Sequence, residues 1–110
     1  CQLCRQLSGG PFSTWIPVTT QDFEWQTIPK LVRTSSFGQR HVCPKCRGVL
    51  TIVYDGQPTT LWLCAGSLED ESVPSNIDDY LGRVVHICCQ WKQNWYELPD
   101  DGMERLDHAS

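Results

Sequence analysis

The sequence predicts an all-β fold, and three observations carry that expectation. Short runs rich in Val, Ile, Thr and aromatic residues recur along the chain, bounded by Gly, Pro or Ser. Prolines at positions 11, 17, 29, 44, 58, 74 and 99 leave no stretch in which a long helix could run uninterrupted. Between two of the runs lies Asp55-Gly56-Gln57-Pro58, a strong turn signal, because glycine accepts the positive φ that hairpin turns demand.

Taken in order, the expected strands are 12–18 (Phe12, Trp15, Ile16, Val18), 23–28 (Phe23, Trp25, Thr27, Ile28) and 31–36 (Leu31, Val32, Thr34). Three more follow at 49–54 (Val49, Ile52, Val53, Tyr54), 60–65 (Thr60, Trp62) and 84–91 (Val84, Val85, Ile87, Trp91). One short helix is expected over 75–81, with Ser75 as N-cap and Asp78 at the third position. The polar tail from Asp100 to Ser110 is expected to fray.

A chain of 110 residues predicts a single domain, 1–110, with a modest core of the kind that often needs a staple. The five tryptophans, Trp15, Trp25, Trp62, Trp91 and Trp95, are expected to build it. The longest apolar stretches, such as Leu61 to Ala65, are far too short to span a bilayer, so no membrane partner is expected. The net charge is −4, with acidic clusters at Glu69-Asp70-Glu71, Asp78-Asp79 and Asp100-Asp101. That balance argues against a nucleic-acid partner, which would call for a basic patch, and reads as a solvated acidic face.

The informative number is seven cysteines. An odd, high count can mean a secreted disulfide framework, but no apolar segment behind basic residues is visible, so a cytoplasmic location is expected. Four of the seven form two C-x-x-C pairs, Cys1/Cys4 and Cys43/Cys46, separated by positions 5–42. In that spacing two thiolates sit on a tight turn and favour a soft ion, zinc or iron, over magnesium or calcium. Read alone, the pairs allow one zinc held by all four cysteines, or a rubredoxin-like iron site. A thioredoxin-like redox pair is disfavoured, because no βαβ context surrounds either motif. Cys64, Cys88 and Cys89 fall in expected strands and read as small core residues, with Cys88 and Cys89 on opposite faces.

An ordered set of landmarks runs along nearly the whole chain. It comprises Cys1-x-x-Cys4-Arg5, Ser8-Gly9, Phe12, Trp15, Pro17-Val18, Phe23-x-Trp25, Ser35-Ser36 and Arg40-His41-x-Cys43-x-x-Cys46. It continues with Gly66-Ser67-Leu68-Glu69-Asp70, Val73-Pro74, His86-Ile87 and Trp95-x-x-Leu98. This order resembles the glutathione-dependent formaldehyde-activating enzyme family, also called the centromere protein V domain, over about residues 1–102.

The resemblance implies an Mss4-like fold of twisted antiparallel sheets with zinc-binding cysteine knuckles. It also implies two zinc sites in place of one. Cys43 and Cys46 match half of a structural site completed by an upstream C-x-C, and Cys1 and Cys4 match the last two ligands of a catalytic-type C-x-C-x-x-C cluster. The chain is thus expected to be truncated at its N-terminus within that cluster. The resemblance further implies carbon–sulfur lyase chemistry on glutathione and formaldehyde, forming S-hydroxymethylglutathione. Arg5 and Arg40 are the candidates to hold substrate carboxylates, and His86 is a candidate proton shuttle, each with an ordinary structural role as the competing reading. Arg47 departs from the family, which carries Gly there. A non-enzymatic zinc-binding interaction module is the alternative, because fold alone does not fix function.

Overall fold

In the computed structural model, residues 1–72, 75–76 and 83–109 are described. They form two compact units, Thr14–Glu69 and Cys1–Ser13 with Asp70–Ser110. The described residues are mostly β structure with one short helix.

The Thr14–Glu69 unit is a five-stranded antiparallel sheet. Its strands are β1 (Trp15–Thr19), β2 (Lys30–Arg33), β3 (Gly38–Val42), β4 (Val49–Tyr54) and β5 (Thr60–Cys64), in the spatial order β1-β5-β4-β3-β2. Register is fixed by pairs such as Trp15 opposite Cys64, Arg40 opposite Ile52 and Ile52 opposite Trp62. A register shift at His41/Val42 bends β3 just before Cys43. The core of the sheet is small, with Ile52 and Leu61 as its buried apolar side chains and Thr51 and Arg40 buried beside them.

One strand expectation fails here and one strand was not foreseen, each for a physical reason. No strand forms over 23–28; the chain passes through a 3-10 turn at Thr20–Asp22, and the rings then pack on one another. Phe23 meets Trp25 edge-on at 4.8 Å, and Trp25 lies 4.9 Å from the His41 ring, so the aromatic signal comes from ring packing and not from a ladder. Conversely, β3 was not expected, because Gln39, Arg40 and His41 break the apolar pattern. It forms because Arg40 is buried with its guanidinium donating to Thr34 Oγ1 at 2.5 Å, while His41 Nδ1 meets Thr51 Oγ1 at 2.6 Å.

The β4–β5 turn falls where expected, with Gln57 N–H donating to the Tyr54 carbonyl at 3.0 Å. Its chemistry differs, since Gly56 is not among the positive-φ residues. At the start of β3, Gly38 packs close to Tyr54: an added Cβ would come within 3.2 Å of that ring, which would have to give by a few tenths of an ångström. Arg33 closes that end of the sheet with two hydrogen bonds to Asp55, at 2.9 and 3.1 Å.

The other unit contains α1 (Gln2–Ser8), a two-residue parallel pair of β6 (Val85–His86) with β7 (Glu104–Arg105), and a 3-10 turn at Cys89–Trp91. The helix was not expected from the sequence. It ends at Gly9, which adopts φ 74° and donates its N–H to the Arg5 carbonyl at 2.8 Å. The expected strand 84–91 shrinks to β6, because Cys88 takes a left-handed conformation at φ 58° and turns the chain out of extended geometry.

The tail does not fray as expected. Leu106 N–H donates to His86 at 2.8 Å, and the amides of Cys88 and Cys89 donate to His108 and Leu106, both at 3.0 Å. Trp91 and Trp95 are exposed, at 43% and 68%, against their expected core role. Most of the helix expected over 75–81 lies outside the described residues. Among the described residues no helix is long and apolar enough to cross a membrane.

Candidate thiol and metal centre

Cys43 to Gly48 leaves β3 in a tight turn. Arg47 N–H donates to the Cys43 carbonyl and Cys43 N–H to the Gly48 carbonyl, both at 2.9 Å, while Gly48 N–H points to Cys46 Sγ at 3.4 Å. The Cys43 thiol is held below its ordinary range, chiefly by the backbone N–H groups of Cys46 and Lys45, then by the Cys46 thiol and the Lys45 charge. Amides aimed at sulfur favour the thiolate, which is the ligating form. Arg47 occupies the left-handed region at φ 66°, the conformation for which glycine is suited.

Cys1 and Cys4 lie one helical turn apart at the start of α1, Cys1 exposed and Cys4 half-buried. That spacing presents both on adjacent parts of one helix face. Arg5 follows directly. One guanidinium N–H donates to the Trp91 carbonyl at 3.2 Å, and the buried Nε has no hydrogen-bond partner among the described residues. A cavity of about 330 Å³ opens beside the helix, lined by Cys1, Gln2, Leu3, Cys88 and Trp91.

The other expected site residues have their own surroundings. Arg40, 4% exposed, belongs to the core of the five-stranded sheet. His86 pairs its Nε2 with Asp101 Oδ2 at 2.8 Å, while its carbonyl receives Leu106 N–H and, at 3.6 Å, the Cys89 thiol. Those bonds tie β6 to the tail and fit the structural reading of His86. Cys64 ends β5 half-buried, and Cys88 and Cys89 are half-buried at a turn, so none of the three is the fully buried strand residue expected. Sequence reasoning missed Cys88 and Trp91 as cavity residues; the adjacency of two cysteines to a tryptophan was the available signal.

The donor set suits a soft divalent ion, because each pair offers two thiolates on a turn or helix start. Among the described residues, no group of three or more His, Cys, Asp and Glu side chains comes together to hold an ion.

Fold and site define a small, antiparallel β protein that carries paired thiols on two separate segments. A family model described as glutathione-dependent formaldehyde-activating enzyme matches residues 1–89, and the chain belongs to that family. No curated protein and no solved structure matches.

Proposed function

We propose that the chain is a zinc-dependent carbon–sulfur lyase that joins glutathione and formaldehyde to form S-hydroxymethylglutathione. Family membership supplies the substrate class at a coarse level, and the Cys1/Cys4/Arg5 cluster beside a cavity is the observation that carries the finer reading. Cys1 and Cys4 would hold the ion nearest the chemistry, and Cys43 and Cys46 a structural one. Bound to thiolates, zinc acts as a Lewis acid that favours the thiolate form of a substrate thiol. Arg5 keeps one N–H on the carbonyl of Trp91, a cavity-lining residue, and its remaining guanidinium donors would be the ones to meet a ligand carboxylate. Leu3 and Trp91 give the cavity apolar walls.

The test is twofold. Metal analysis of the purified protein should find zinc, and glutathione-dependent consumption of formaldehyde should exceed the spontaneous rate. Arg5→Ala should lower kcat/KM for glutathione by roughly tenfold, the size expected when a hydrogen bond to a charged group is lost. Zinc binding without any excess rate would leave the interaction-module reading in place of the lyase.

A further inference from the structure

Cys88 has no part in the proposed metal sites, yet it lines the same cavity as Cys1. The two thiols approach that cavity from different elements, the start of α1 and the turn after β6. Cys1 makes no side-chain capping hydrogen bond, so its thiol can rotate without breaking a cap. Cys89 differs from its neighbour, since its thiol is directed to the His86 carbonyl at 3.6 Å. Cys88 itself holds left-handed backbone at the turn and lines the cavity, whereas Cys89 is not among the lining residues.

We propose that Cys88 is a site of thiol–disulfide exchange with low-molecular-weight disulfides, resolved by Cys1 into an intramolecular Cys1–Cys88 disulfide. The Cys88 thiolate attacks one sulfur of the small disulfide, forming a mixed disulfide and releasing one thiolate. Cys1 thiolate then attacks the Cys88 sulfur of that mixed disulfide, forming the protein disulfide and releasing the second thiolate. The two cysteines lose two protons and two electrons, and the small disulfide is reduced to two thiols. Gln2, Leu3 and Trp91 form the remaining walls against which the small disulfide docks. Pairing with Cys88 and metal ligation at Cys1 exclude one another, so a metal at Cys1 protects it from exchange.

The experiment treats the full chain with oxidised glutathione, as purified and after chelation of metal, and maps disulfide-linked peptides by mass spectrometry. A peptide joining Cys1 to Cys88 is expected in the chelated protein, reversed by dithiothreitol, retained in Cys89→Ser and lost in Cys88→Ser. A dominant Cys1–Cys4 or Cys88–Cys89 link, or no linked peptide at all, overturns the proposal. Differential alkylation of the unmutated chain gives an independent reading that needs no variant to fold. Cys1 and Cys88 should lose alkylation together while Cys64 keeps it, and unequal loss at the two overturns the pairing. Metal analysis of the reduced protein tests the zinc reading separately, so the two can fail independently.

Discussion

At the scale of single residues, two non-glycine positions hold left-handed backbone, Arg47 and Cys88. For an L-residue this conformation costs about 1–2 kcal/mol, because Cβ crowds the carbonyl oxygen. Arg47→Gly should therefore stabilise the chain by about 1 kcal/mol, read as a higher urea midpoint at unchanged slope. In metal-free protein Cys43 should react with iodoacetamide at lower pH than a thiol in an unstructured peptide, since backbone amides hold it below its ordinary range. Lys45→Ala should leave most of that difference, because the lysine charge is the smallest of the lowering causes. Ile52, at 2% exposure, is with Leu61 one of the buried apolar side chains of the sheet core. Ile52→Ala should cost about 2–5 kcal/mol in chemical denaturation, as large-to-small core changes do.

At the scale of elements, α1 matters because it carries Cys1, Cys4 and Arg5. It is only 7 residues long, too short to persist on propensity alone, so its C-terminal cap bears on the geometry of the thiol pair. Gly9 holds φ 74°, and an added Cβ would meet nothing within 4 Å. The cost of Gly9→Ala is thus conformational, about 1 kcal/mol, and should appear in urea denaturation. The helix was not read beforehand because Cys1-Gln2-Leu3-Cys4 was read for metal spacing, although Leu3, Cys4 and Leu7 at helical spacing before Gly9 were the available signal. Strand β4 was legible to the residue, 49–54, because Val49, Ile52, Val53 and Tyr54 combine β-branched and aromatic character within clear turn boundaries.

At the scale of the whole molecule, stability should fall on acidification in two stages. Burial lowers the His41 pKa, so the unfolded chain takes up that proton first as pH drops below about 6.5, and stability falls until the folded group also protonates. Asp55 and Asp101 are held below the usual carboxylate range, Asp55 chiefly by its hydrogen bond from Arg33 and Asp101 chiefly by the Met103 N–H, then by His86. Their contribution is present above the unfolded carboxylate pKa of about 3.9 and is lost as pH falls through the lower folded values. Urea midpoints measured against pH should show both limbs, and Asp101→Asn should flatten the lower one.

The sequence by itself determined the β class, the β4–β5 hairpin position, the paired cysteines and the family, because each rests on local pattern or on an ordered set of motifs. Tertiary structure decided what local pattern could not carry. A buried Arg40 in β3 has Thr34 beside it as a hydrogen-bond partner, and in the aromatic run 23–28 the Trp25 ring packs against Phe23 and His41. The tail is ordered by hydrogen bonds to residues about twenty positions away, and Cys88 shares a cavity with Cys1 from the opposite end of the chain. Such contacts are non-local, and their free energy comes from neighbours that composition and spacing do not reveal.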